Sequence, residues 1–177
     1  MTKTIRFGAA GIALFAAMGM SNAAFAQTSA TADARAEVLD SLTITNTAGL
    51  DFGTMVVDGA GSVTLEPDGT LDCSDPDLVC SGTSTVAAFA VTGTANKDVT
   101  VGLPTGDIEL LHPGFIGAAN PDEFRITLNT FVSSTGLSVL LDGAGEASFT
   151  VGGTITLDAV QAAGIYTGAF DVTVEYT

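Results

Sequence analysis

Hydrophobic and polar positions alternate with period two along most of the chain. Residues 30–38 read Ala-Thr-Ala-Asp-Ala-Arg-Ala-Glu-Val, which places Ala30, Ala32, Ala34, Ala36 and Val38 on one face. The alternation resumes at 42–45, and further extended runs lie at 51–57, 62–66, 85–92, 98–103, 124–132, 137–141, 147–151 and 154–157. The longest run closes the chain, from Gly164 to Tyr176, with Phe170, Val172, Val174 and Tyr176 on one side and Asp171, Thr173, Glu175 and Thr177 on the other. Successive side chains of a strand point to opposite faces, so this pattern predicts a C-terminal strand with one face buried. Turn signals punctuate the runs: Asp58-Gly59-Ala60-Gly61, Asn96-Lys97, Pro104-Thr105-Gly106, Pro113-Gly114, Asn120-Pro121, Asp142-Gly143 and Gly152-Gly153. The glycine pairs Gly59/Gly61, Gly143/Gly145 and Gly152/Gly153 read as hairpin turns. Many short strands with such punctuation predict an all-β fold, an antiparallel sandwich. The alanine-rich stretch 33–39 leaves a helical turn open as a second reading.

Composition supports strands over helices. Threonine and glycine are abundant while glutamate and lysine are scarce. Threonine is stiff at χ1 and suits a pleated surface, and glycine marks turns. The first 26 residues differ from the rest. Lys3 and Arg6 precede an uncharged run from Phe7 to Met20, and Ala24-Phe25-Ala26 forms a small-x-small site. These are the three regions of an export signal, so residues 1–26 are expected to be removed after Ala26 and residues 27–177 to form one domain. The run is too short to span a bilayer comfortably, and beyond it Val86–Val91 is the longest apolar stretch. The expected location is therefore the periplasm, the cell surface or the exterior, without a membrane span in the mature chain.

Charge narrows the function classes. The chain has 20 Asp+Glu against 5 Lys+Arg, a net charge of −15. Such a polyanion repels nucleic acid and anionic membrane surfaces. Cys73 and Cys80 are the two cysteines. In an oxidising compartment neighbouring cysteines pair, and closing so short a loop contributes about 2.5 kcal/mol. Asp72, Asp75 and Asp77 surround them and would disfavour a reactive thiolate, so the pair reads as a staple.

The chemistry-bearing residues are few. Asp68, Asp72, Asp75 and Asp77 offer oxygen ligands for calcium, but their spacing is not that of an EF-hand loop, and a solvated acidic loop is the simpler reading. His112 is the one histidine, in a turn-like Leu-Leu-His-Pro-Gly context, and no Gly-x-Ser-x-Gly elbow exists. The glycine-rich turns lead into strands, not helices, and lack the lysine of a phosphate cradle. No catalytic residue, metal site or cofactor is expected, and the chain is not expected to be an enzyme.

Three blocks carry a family resemblance: Leu42-TITNTAGLDFG-Thr54, Phe89-AVTGTANKDVTVGL-Pro104 and Phe149-TVGGTITLDAVQAAGIYTGAFDVTVE-Tyr176. The last is the most specific, with Gln161-x-x-Gly164-x-Tyr166-x-Gly168 followed by alternation to an aromatic. Together they resemble the exported bacterial proteins grouped as domain of unknown function 4402, and the ending is similar to that of spore coat protein U and fimbrial subunits. The resemblance implies an immunoglobulin-like sandwich and self-assembly at the cell surface with a periplasmic chaperone and usher. Residues 66–82 and 107–123 depart from the shared pattern. A pilin-like or surface-coat subunit without catalysis is the leading functional expectation. A monomeric secreted binding module using the acidic disulfide loop is the alternative. If subunits polymerise, Ala30–Val38 is the expected assembly strand, added to a neighbour; otherwise it is the first strand of its own sandwich. Its buried face would be mostly alanine, which offers little apolar area.

Overall fold

The computed structural model describes residues 28–119 and 122–177; the expected leader, residues 1–26, and its expected cleavage site after Ala26 lie outside them. The chain divides into two units between Ala36 and Glu37. In the first, residues 28–36 are exposed and carry neither strand nor helix. The alternation at 30–38 therefore builds no first strand, and no helical turn forms at 33–39. An alanine stripe buries too little area to offset the entropy of ordering it.

Among the described residues the second unit, Glu37–Thr177, holds twelve strands: β1 Thr43–Ala48, β2 Thr54–Val57, β3 Gly61–Leu65, β4 Leu71–Asp72, β5 Leu78–Ser81, β6 Ala87–Thr92, β7 Asp98–Gly102, β8 Ile108–Leu111, β9 Arg125–Ser133, β10 Ser138–Leu140, β11 Glu146–Leu157 and β12 Thr173–Tyr176. A single 3-10 turn, Gly117–Ala119, is the helical content among the described residues. Every ladder is antiparallel.

One layer is a seven-stranded sheet of β1, β6, β11, β3, β4, β8 and β9. The other contains two smaller sheets, β10-β7-β12 and β2-β5. Between β6 and β11 of the large sheet and the β10-β7-β12 sheet lie Val91, Phe89, Phe149 and Val151 against Val99, Val101 and Leu141. Phe89 and Phe149 face each other across the ladder and stack with ring centroids 5.4 Å apart. Between β3, β9 and β11 and the β2-β5 sheet lie Val63, Leu65, Ile126, Leu128, Ile155 and Leu157 against Leu78, Met55 and Val57. Phe131 and Phe170 pack against both cores and against each other, with centroids 4.9 Å apart. This is the expected all-β, immunoglobulin-like antiparallel sandwich.

The glycine pairs do not make hairpins. Gly152-Gly153 lies inside β11, which runs unbroken where two strands and a turn are expected. Gly152 is glycine because a Cβ there would collide with the Leu65 carbonyl oxygen and come within 2.8 Å of Glu66 C and 2.9 Å of Pro67 N. Gly59 and Gly61 join β2 to β3, and Gly143 and Gly145 join β10 to β11; each link crosses between sheets. Short strands also form where none is expected: β4 and β5 inside the acidic excursion and β8 in 107–123. Conversely, the run from Asp51 becomes a strand only at Thr54, and the C-terminal run only at Thr173.

β11 pairs with β6 along Glu146–Val151, with β3 along Gly153–Leu157 and with β9 along Val151–Thr156. The β9 ladder slips at Gly152/Thr154, and opposite the slip Thr130 adopts φ 51°. A β-branched residue in the left-handed region is strained by about 1–2 kcal/mol. Asparagine tolerates that region, and the Thr130 side chain is exposed. Thr130→Asn is therefore expected to stabilise the protein by about 0.5–1 kcal/mol in urea unfolding; a loss of stability would show that the threonine is held there by something other than backbone need.

Candidate functional site

The C-terminal strand meets the approach to β1 at one end of the sandwich. Pairing of Thr173–Tyr176 with β7 turns Val174 and Tyr176 inward and leaves Thr173, Glu175 and Thr177 exposed. Phe170, Val172, Val174 and Tyr176 are half-buried and pack on the core under β6 and β7. The Tyr176 hydroxyl accepts the Thr94 N–H at 2.6 Å and donates to the Asp40 carbonyl at 2.9 Å. Asp40 N–H donates to Thr94 Oγ1 at 2.6 Å. Gly93 makes room for this clasp, since a Cβ there would strike the Tyr176 hydroxyl and lie 2.8 Å from Leu42 Cδ2.

Beside the clasp lies an open cleft of about 620 Å³, whose lining includes Glu37, Leu39, Lys97, Asp98 and Tyr176. Lys97 reaches across to Glu37, with Nζ 2.5 Å from Oε1. Its charge is thereby matched, and the hydroxyl beside it already uses both its donor and acceptor. The groups hold chain segments together; none stands as a nucleophile beside a base. Val38, next to Glu37, is 93 % exposed, while Ala30, Ala32, Ala34 and Ala36 lie in the separate first unit and are exposed.

The acidic loop uses its carboxylates locally. Asp68, Asp72 and Asp75 accept the backbone N–H of Thr70, Ser74 and Asp77 at 2.8, 3.1 and 3.1 Å. These are side-chain turns that satisfy the backbone two residues on. The bond from Thr70 N–H holds the Asp68 carboxyl below the ordinary range. Asp75 and Asp77 lie against the sterically tight Gly61 and Gly59. Among the described residues no group of three or more His, Cys, Asp or Glu side chains is placed to hold a metal ion. Cys73 and Cys80 form a disulfide, with Cα atoms 6.2 Å apart. Cys73 follows β4 of the large sheet and Cys80 lies in β5 of the opposite layer, so the bond ties the two layers together.

His112 follows β8 and sits between rings: Phe124 and Tyr166 lie with centroids 5.0 and 5.4 Å away. Its Nδ1 accepts the Gly114 N–H at 2.8 Å. Gly164 passes so close to Nε2 that a Cβ would overlap it. Tyr166 Oη lies 2.8 Å from the carbonyls of Glu123 and Ala162, and burial, aided by the Glu123 charge, raises the pKa of its hydroxyl. The histidine is a packing element joining the long β11–β12 connection to β8.

Sequence alternation marks the inward side of Tyr176. It carries no sign of the hydroxyl's partners, which are backbone groups of Thr94 and Asp40. Nor does it show the Glu37–Lys97 ion pair, whose members are sixty positions apart.

No curated protein and no solved structure matches significantly. Among the described residues no helix is long and apolar enough to cross a membrane. One family profile matches residues 42–176, from the approach to β1 through the end of β12. That span includes every strand of the sandwich, and the chain belongs to the family described as domain of unknown function DUF4402.

Proposed function

We propose that this chain is an exported, non-catalytic structural subunit, pilin-like or of a surface coat, that self-assembles with a periplasmic chaperone and usher and joins its neighbours by strand donation. The observation that carries the reading is the segment Ala30–Val38. It alternates strictly and is exposed, and it enters no sheet of its own chain. A segment of this kind can lend its backbone groups to another sheet edge, with small side chains that any shallow groove admits. The leader-like start and the disulfide across the layers suit an oxidising exterior. The alternative, a monomeric module binding calcium or a basic partner through the acidic loop, gains no support from carboxylates that are engaged in their own turns.

Deleting residues 28–36 tests the reading. The parent, isolated from the exporting cell, is expected to form polymers visible by electron microscopy and size exclusion. The deletion is expected to remain folded and to lose them. Polymers that persist in the deletion would overturn strand donation.

A further inference from the structure

We infer that the outer edge of β12 receives residues 28–36 of a second copy, with Arg35 of the arriving segment set against Glu175. This rests on the strand-donation reading and names the edge that it uses. Charge separates this edge from the others. Among the described residues the Lys and Arg side chains are Arg35, Lys97 and Arg125. Lys97 is held by Glu37, and Arg125 by Glu109 and Asp122, whereas Arg35 has no carboxylate partner. The strands at sheet edges are β1, β2, β4, β5, β8, β10 and β12. Of these, β1, β2, β5 and β10 carry no charge and offer Arg35 nothing. Asp72 of β4 already accepts the Ser74 N–H, and Glu109 of β8 is taken by Arg125. Glu175 of β12 is exposed, and among the described residues its carboxylate has neither an ion pair nor a hydrogen bond.

The ladder fixes which backbone groups are free. Thr177 N–H donates to Asp98 O at 3.2 Å, so Thr173, Glu175 and Thr177 direct their backbone groups at β7. Val174 and Tyr176 turn N–H and C=O outward, while their side chains lie half-buried against the core. An antiparallel strand with Ala36 opposite Val174 and Ala34 opposite Tyr176 meets both outward residues in hydrogen-bonded pairs. Arg35 then falls opposite Glu175 in the pair between them. That pair is the closer kind, with Cα atoms about 4.5 Å apart. The alanines of the segment are small enough to lie beside both inward side chains.

Electrostatics selects the occupant. Residues 28–36 carry Asp33 and Arg35 and no net charge, while Glu37–Thr177 sets nineteen carboxylates against Lys97 and Arg125. Two such bodies repel each other. The segment is the part of a second copy that brings an unmatched cation to an acidic surface. Fully extended, its nine residues reach about 30 Å, so the two bodies need not meet face to face.

Polymer formation by the exported full chain, read by size exclusion and electron microscopy, tests this. Arg35→Glu and Glu175→Arg are each expected to raise the concentration needed for polymers about 5–10-fold, with an unchanged melting temperature. Combined in one chain, the two reversals restore the attraction, and parent behaviour is expected to return. Arg35→Cys with Glu175→Cys is expected to link neighbours through a disulfide, giving a ladder of multimers on a non-reducing gel. Arg35→Cys with Val79→Cys, at the uncharged β5 edge, is expected to give none. A combined reversal that stays as weak as either single one, or a 35–175 disulfide that forms only within one chain, would overturn the inference. Deletion of residues 28–36 separates this edge from the reading it rests on. Polymers that persist in the deletion remove strand donation and this edge with it. Polymers that vanish in the deletion but ignore the charge at 35 and 175 overturn this edge alone.

Discussion

Gly152→Ala is expected to cost about 3 kcal/mol or more, enough to leave a domain of ordinary stability marginal. The added methyl would fall onto the Leu65 carbonyl oxygen and near the backbone of Glu66 and Pro67. Those atoms belong to β3 and the turn after it, and the Thr150 hydroxyl pins the same turn by donating to the Pro67 carbonyl at 2.7 Å. Backbone cannot rotate aside as a side-chain tip can, so either β3 leaves the ladder or the turn breaks. Gly153→Ala is the matched comparison. Its methyl would meet Leu128 Cδ1 at 3.1 Å and Asn129 O at 3.5 Å, contacts that a leucine rotamer can relieve. A loss of about 1 kcal/mol is expected there. Urea unfolding of the two variants side by side measures the difference, and equal losses would show that β11 does not approach the β3–β4 turn so closely.

Tyr176→Ser carries the second large expectation, a loss of about 3 kcal/mol, whereas Thr177→Ser stays within about 0.5 kcal/mol. The aromatic ring packs against the same buried core as Val172, Val174 and Leu42, and the hydroxyl serves Thr94 and Asp40. Tyr176→Phe separates these contributions. It keeps the ring but strands an N–H donor and a carbonyl, at a cost of about 1–2 kcal/mol. The ordering Ser, then Phe, then Thr177→Ser is the result to look for by thermal melting. If Tyr176→Phe matches the parent, the hydroxyl clasp contributes nothing and the site is a packing contact alone.

What the sequence makes legible follows from how far each signal reaches. Alternation is local, and β6 and β7 stand where it puts them, with Phe89, Val91, Val99 and Val101 buried, while β12 takes only the last four residues of the run that ends at Tyr176. β5 and β8 escape it. Leu78–Ser81 hides inside an acidic loop, and Ile108–Leu111 is an apolar run with one glutamate that shows no clean period. The glycines mislead in a definite way. Gly152-Gly153 has the composition of a turn, but its smallness serves an approach by Leu65, eighty-seven positions earlier, and only the folded chain contains that requirement. At the C-terminal site the ring of Tyr176 is legible from its neighbours in the run. Its hydroxyl partners are not, because any residue presents the same backbone N–H and carbonyl. The alternation at 30–38 is the converse case: a strand pattern with too little apolar area to hold a place in its own sheet.

The threefold pairing of β11 has a temporal consequence. β3, β6 and β9 all lean on a strand that ends at Leu157, while they themselves begin at 61, 87 and 125. Whether the chain emerges from a ribosome or threads through a membrane pore, its first strands arrive long before the partner that joins them. Contacts across such separations form slowly, after a long loop has closed. Until then the apolar faces of β3 and β6 stand open to one another's copies, which is the interval in which a holding factor has something to hold. A chain interrupted before Glu146 has hairpins and a disulfide but lacks the strand that joins them into a sheet.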